Sequence, residues 1–309
     1  MNSRAAGKKG SLLRVFYCRG AAHTLWHGGE GMRVLLAGLM ALLLLRPGTA
    51  MTAVSESCRL FVTAVLPGLL PYMVLSSMLL SRCGGRMPLW GLTLLGWCGG
   101  SPSGARLLEL QPGLSRRQRV FISVATATMS PMFLLGTCGA WLGSSLAGAA
   151  LLAGVLTGGG LAGALAAHCV PGEIPAAADA AQGRPLSFGE AVEQAARTLL
   201  MVCGTMAMWR MLAALAEEIC PAVALPVTTL LEVTSGAQQI SCLPLPLSWR
   251  TALLASATGF GGAAILMQNR AVQAAPALPI ALQLLWQGVH AALSGLVTLG
   301  LMLLLGAMG

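Results

Sequence analysis

Between residues 60 and 307 the chain passes through eight apolar stretches in succession, near 60–81, 87–104, 119–143, 145–168, 190–215, 222–240, 250–268 and 276–307. A helix crosses the hydrocarbon of a bilayer with about 20 such residues. Stretches of this length, one after another, leave little with which to build the polar coat of a water-soluble globule. Only 9% of the 309 residues are charged and 56% are hydrophobic, against roughly 25% charged in an average soluble domain. The sequence therefore predicts an all-α, polytopic helical membrane protein and excludes an ordinary cytosolic enzyme.

Several stretches are interrupted. Pro67 and Pro71 fall in the first, Gly99, Gly100, Pro102 and Gly104 in the second, and Ser130-Pro131 in the third. Thr234-Ser235-Gly236 falls in the sixth, and the run Gly259 to Gly262 in the seventh. Each backbone group left unpaired in hydrocarbon costs several kcal/mol, so broken helices persist only inside protein or beside a watery cavity. Here the interruptions pair: Gly68 with Gly204, Gly104 with Gly236, and Pro131 with Gly261, each about 130 to 136 residues apart. Matching breaks in two halves predict an internal repeat with a binding site at its junction. The expected break positions are Pro67, Gly68, Pro102, Gly104, Pro131, Gly204, Gly236, Gly259 and Gly261.

Charge position adds topology. Most of the 19 Lys and Arg precede residue 120, and such residues gather in short cytoplasmic flanks, so the asymmetry reads as orientation rather than as a nucleic-acid surface. Arg4, Lys8, Lys9, Arg14, Arg19 and Arg33 precede the first apolar run. They predict a cytoplasmic N-terminus for a multi-pass protein of the cell membrane, with the lipid bilayer as its first partner. Arg82 and Arg86 lie before the 87–104 stretch, and Arg106, Arg116, Arg117 and Arg119 after it. Both clusters stay on one side if that stretch dips in and returns. Three crossings then separate the equivalent starts near 60 and 190, and an odd number makes the repeats inverted. The expected organisation is a basic tail (1–33), a first membrane half with an N-terminal span (34–168), a linker (169–187) and a second membrane half (188–309). Residues 34–45 read either as a short span or as the apolar core of a signal peptide, since Arg46, Pro47 and small residues follow.

Glu232 is the only acid between Glu218 and the C-terminus, and it sits beside an interruption. An ionisable residue at membrane depth is a functional candidate by default; it can carry a proton, hold a cation or accept hydrogen bonds from a ribose. The competing reading is a structural acid that bonds the amides freed around Thr234–Gly236. Ser101, Ser103, Thr234, Ser235 and Gln268 are the candidate neutral hydrogen-bonding groups of the same site, although Ser and Thr beside a break often satisfy their own backbone. Arg106 and Glu109 read as an interfacial pair, and Trp286 and His290 as interior packing. The nine cysteines contain no C-x-x-C pair and behave as small hydrophobes. His23 and His27 lack acidic or cysteine neighbours. No metal, cofactor or enzyme signature is read from the chain.

The series LPGLLPYMVLSSML, GGSPSGAR, SPMFLLGT, EVTSG and GFGGAAILMQ resembles the sporulation integral membrane protein YlbJ family. That family belongs to the nucleoside recognition (Gate) domain group, which is similar to concentrative nucleoside transporters. The resemblance runs from about residue 50 to 305. It implies an inverted-repeat helical membrane protein acting in spore formation, and does not by itself give the molecular activity. The first expectation is a transporter-like permease, with a small polar or nucleoside-like solute held between the GGSPSGA and EVTSG breaks. The alternative is a scaffold that kept the fold and holds other sporulation membrane proteins. Relative to the family pattern, Ser101 stands where an aromatic is usual, and Ala263, Ala264, Ile265 and Leu266 replace more polar residues, while Gln268 remains.

Overall fold

A computed structural model describes residues 29–83, 87–111, 113–170 and 185–307. Most of the basic tail, with His23 and His27, and most of the 169–187 linker lie outside them. The described residues are helical, with no strand among them. The chain forms two compact units, Met1–Pro47 and Gly48–Gly309. In the first, α1 (Gly29–Leu45) is an uninterrupted apolar helix of 17 residues, about 25 Å long at ~1.5 Å per residue. That is the short limit of a membrane span.

The second unit repeats one order of elements. A long helix, α2 (Pro47–Arg82), is followed by two short ones, α3 (Leu89–Gly99) and α4 (Ser103–Leu110). An interrupted helix comes next, α5 (Arg116–Ala125) and α6 (Phe133–Leu142), and then a long helix, α7 (Ser145–His168). The same order returns as α8 (Phe188–Ile219), α9 (Ala224–Leu231), α10 (Val233–Ser241), α11 (Leu247–Phe260), α12 (Gly262–Ala271) and α13 (Ile280–Ala307). Five stretches are long and apolar enough to cross a membrane: α2, α7, α8, α11 with α12, and α13.

Hydrogen bonds fix which ends share a face. The two ends of the α3–α4 pair meet, because the Met87 amide donates to Gln111 Oε1 (3.0 Å) and Gln111 Nε2 donates to the Met87 carbonyl (2.7 Å). The pair is thus a hairpin that enters and returns. At the same face the Arg119 guanidinium donates to the Leu108 carbonyl, Arg117 Nε to the Val170 carbonyl, and the Leu186 amide to Ser81 Oγ. On the opposite face Thr49 Oγ1 donates to Glu218 (2.9 Å) and the Arg250 guanidinium to the Ser241 carbonyl (2.8 Å). Three traverses, α2, α5–α6 and α7, separate the start of α2 from the start of α8, so the second repeat runs inverted. The 222–240 stretch, read from sequence as one more apolar segment, is a second hairpin entering from the opposite face.

Side-chain polarity on α13 is reversed relative to a helix on the surface of a soluble protein. On α13 the polar residues Gln287, His290, Ser294 and Thr298 are buried, while Leu296, Leu303 and Leu304 are more than half exposed. Leucines facing outward while the polar side chains of the same helix face inward fit a lipid surround. Trp286 is only partly buried and packs beside the small apolar cluster under α5 and α7, and His290 Nε2 lies 3.1 Å from the Val155 carbonyl. α7 and α13 meet along small residues, with Gly154, Gly158 and Gly159 receiving Thr298, Ser294 and His290. Without a hydrophobic drive between helices in lipid, such close approach supplies the packing energy. A Cβ on Gly158 would stand 2.6 Å from the Ser294 backbone nitrogen, whereas one on Gly160 would meet nothing nearer than the Trp97 ring at 3.7 Å. Gly158→Ala is therefore expected to destabilise by about 1–3 kcal/mol, and Gly160→Ala to be neutral or better. Thermal unfolding in detergent checks this; equal midpoints for the two variants would remove the seam from the account.

The interruptions lie partly where the composition suggested. α3 and α4 part at Gly100–Pro102, α5 and α6 at Thr126–Ser130 with the helix resuming at Pro131, α9 and α10 at Glu232, and α11 and α12 at Gly261. Gly104 and Gly236 lie just inside the returning limbs of the two hairpins, and Gly259 is still within α11. Pro67, Gly68 and Gly204, by contrast, sit in continuous helix. Pro67 is tolerated because it occupies the first turn after a π-helical turn, Phe61–Val65, where its missing N–H interrupts little. Gly68 serves close approach instead: a Cβ there would meet Ser130 Oγ at 3.0 Å and Met132 Cβ at 3.2 Å. Gly204 has nothing within 4 Å of that position.

Candidate functional site

Each hairpin tip docks on the interruption of its own repeat. In the first repeat the Ser101 amide donates to the Thr128 carbonyl (2.7 Å). Gly100, at φ 63°, brings the tip so near that a Cβ would lie 2.5 Å from the Ser130 nitrogen. In the second repeat Gly262, at φ 72°, faces the carbonyls of Leu230 (3.1 Å), Thr229 (3.2 Å) and Leu231 (3.4 Å) from its Cβ position. Glycine at these two places lets backbone approach backbone, which hydrocarbon depth permits only inside protein.

The limbs also approach closely. A Cβ on Gly96 would stand 3.2 Å from Gly104 Cα, and one on Gly236 would stand 2.6 Å from Thr229 Cα. Gly104 and Gly236 therefore occupy corresponding places, each where one limb of a hairpin crosses the other.

Glu232 is the hinge between α9 and α10. Its extended backbone (φ −135°, ψ 99°) ends one helix and its side chain caps the next, with Oε1 accepting from the Thr234 amide (2.9 Å) and Oε2 from the Ser235 amide (2.8 Å). The carboxylate is 1% exposed, yet it faces the positive end of α10, where anions are favoured. A carboxylate offers about four acceptor positions, so the two amides leave capacity for other donors. Glu232 thus bonds the freed amides, as the structural reading expects, and it also lines a cavity.

That cavity, ≈ 20 Å³, lies between the two tips, with room for about one water-sized group. Polar groups reach it from four directions: Ser101 at the first tip, Ser130 at the first break, Glu232 and Thr234 at the second tip, and Gln268 on α12. Its apolar wall includes Leu69, Phe133, Val202 and Met206, and none of the lining residues is basic. Gln268 Nε2 donates to Thr205 Oγ1 (2.9 Å), and Asn269 Nδ2 donates to Ser101 Oγ (3.3 Å), so α12 is tied both to α8 and to the first tip.

Of the six residues read from sequence as binding groups, Ser101, Glu232, Thr234 and Gln268 come together here. Ser103 does not, because its hydroxyl turns back to the Gly99 carbonyl (3.3 Å). Ser235 lines instead a vestibule of ≈ 570 Å³ that opens at the face of Thr49 and Glu218, walled also by Glu56, Arg59, Thr63, Arg210, Gln238 and Gln239. Ser130 and Asn269 were missed, although one adjoins Pro131 and the other follows Gln268. Arg106 and Glu109 do not pair with each other. Glu109 bonds Arg119 (3.2 Å), while Arg106 donates to Gln194 and Thr198 on α8.

Comparison of the chain with protein-family models, with curated proteins and with solved structures finds no match.

Proposed function

We propose that the protein is a transporter-like permease that binds a small polar, nucleoside-like solute between its two hairpin tips and passes it across the membrane. The observation that carries this reading is the convergence of two inverted hairpin tips on a cavity that holds a capped carboxylate, an amide and three hydroxyls (Ser101, Ser130 and Thr234). These groups accept and donate hydrogen bonds at the depth where a solute must be sheltered from lipid. Glu232, with spare acceptor capacity and no basic neighbour in the lining, favours a ligand that brings hydrogen-bond donors or positive charge. The cavity as it stands is smaller than any such solute, so entry requires the tips to part toward the vestibule.

The face bearing Arg82, Arg116, Arg117 and Arg119 is cytoplasmic in this reading, by the excess of Arg on cytoplasmic flanks. The vestibule then opens away from the cytoplasm. The resemblance to the YlbJ family supplies the setting, spore formation.

A scaffold role is the second reading. It is favoured by the small cavity and by the occupation of both Glu232 oxygens by backbone amides. Here the polar centre only stabilises the fold, and the function lies in holding other sporulation membrane proteins. Uptake by the purified protein in liposomes, over a panel of nucleosides and small polar solutes, separates the two. Saturable uptake above that of empty liposomes is the expected result; its absence across the panel, with folded protein present, leaves the scaffold.

A further inference from the structure

The two hairpins repeat a tripeptide, Ser103-Gly104-Ala105 and Ser235-Gly236-Ala237, at the start of their returning limbs. Beyond it the limbs diverge: Arg106 corresponds to Gln238, and Leu107 to Gln239. In a structure built of inverted repeats these pairs face opposite sides of the membrane. Gln238 and Gln239 look into the open vestibule of ≈ 570 Å³. Their counterparts do not. The space among Met73, Ser76, Ser77, Ser103, Arg106 and Leu107 amounts to ≈ 0 Å³.

The difference lies in the arginine. Its guanidinium donates to Gln194 Oε1 (2.6 Å), to the Gln194 carbonyl (3.2 Å) and to Thr198 Oγ1 (3.2 Å). On the opposite face α2 gives Arg59 and Thr63 to the vestibule wall that faces Gln238 and Gln239, and among the described residues neither glutamine side chain bonds across it. The same two walls are therefore bridged on the basic face and apart on the other.

We propose that Arg106 is the latch of the basic-face entrance, holding α4 to α8 and keeping the central site shut from that side. This rests on the permease reading for its purpose, though not for its geometry. The partners suit a reversible latch. Among the described residues no carboxylate pairs with Arg106, and its bonds go to a neutral amide, a hydroxyl and a carbonyl, which are weaker partners than a carboxylate. The released guanidinium has an alternative partner one turn along its own helix in Glu109, now bonded to Arg119. Release of Arg106, with closure of Gln238 and Gln239 toward α2, converts the described state into its inverted counterpart.

Accessibility measured residue by residue tests the latch without requiring transport. Full-length protein carrying Ser77→Cys is reconstituted in vesicles and labelled from the basic face with a membrane-impermeant maleimide, and each cysteine is read by mass spectrometry. Cys83, exposed near the end of α2, reports the labelled face; Cys220, exposed beyond α8, reports the other; buried Cys138 reports misfolding. With Arg106 intact, position 77 is expected to label slowly. Arg106→Gln is expected to raise its rate at least tenfold, and Arg106→Lys less. If Arg106→Gln also exposes Cys138, the acceptor-side variant Gln194→Ala with Thr198→Val decides, and the same rise is expected. Unchanged protection at position 77, with Cys83 labelling normally, would overturn the latch. A protein that labels as expected but moves no solute would instead count against the permease reading alone.

Discussion

Glu232→Gln is expected to lower solute uptake in liposomes by at least tenfold while leaving a folded protein. The carboxylate is buried at the junction of α9 and α10, lines the central cavity, and carries the only formal charge among the lining residues. Gln keeps the size and one acceptor oxygen but loses the charge, and so loses the attraction for a donor-rich or cationic ligand. Its amide NH₂ must also face one of the two backbone amides that now donate to Glu232, and a buried donor without an acceptor costs about 1–3 kcal/mol. The thermal midpoint should therefore fall modestly while uptake falls steeply. Glu232→Asp is the informative companion. Asp is a good cap and keeps the charge, but its shorter side chain draws the carboxylate out of the cavity. It should retain more stability than Gln while still reducing uptake. If Glu232→Gln lost stability yet transported at the original rate, the residue would be a helix cap and nothing more.

Gly100→Ala is expected to be the most damaging single-methyl change in the first hairpin, lowering stability by about 2–6 kcal/mol. Two effects add at one position. The backbone is held at φ 63° and ψ −171°, a region open essentially to glycine alone, where any other residue is strained by about 1–3 kcal/mol. The new methyl would also stand 2.5 Å from the Ser130 nitrogen and 2.9 Å from its Cα, and overpacking of this kind costs about 1–3 kcal/mol. Backbone cannot rotate aside as a long side chain can, so relief comes only by withdrawing the tip from the break. The bond from the Ser101 amide to the Thr128 carbonyl would then lengthen, and the polar groups of the cavity would separate. Gly113→Ala is the comparison for a positive-φ glycine in open space, because its φ is 78° and nothing lies within 4 Å of its Cβ position. Gly100→Ala should melt well below Gly113→Ala in the same detergent; equal melts would mean that the tip does not press on the break.

The sequence carried the solvent, the helical class and the existence of paired interruptions. Charge scarcity and apolar run lengths dictate a lipid-embedded bundle whatever the packing, because no arrangement of so few charges coats a globule. The first hairpin was legible from the arginines on both sides of 87–104. The second was not: few charges flank 222–240, so nothing in that stretch distinguishes a hairpin from a crossing. Glycine and proline alone also misplaced some breaks. Pro67, Gly68 and Gly204 lie in unbroken helix, since a π-helical turn absorbs the proline and a glycine in lipid serves close packing as readily as it ends a helix.

Which polar residues meet was decided by tertiary structure. Ser101 and Gln268 are far apart in sequence, and they join one cavity only because an inverted repeat brings the tip of one half against the interrupted helix of the other. Ser103 and Ser235 match in sequence, yet one turns back to its own backbone and the other faces an open vestibule. Their sequences give no sign of that difference. One turn further on, Arg106 reaches Gln194 and Thr198 of α8, whereas the corresponding Gln238 lines the open vestibule. The eight apolar stretches were thus enough to say what surrounds the protein. Only the packing of the two repeats could say which side of it is open, because openness belongs to the contacts between helices and not to any helix alone.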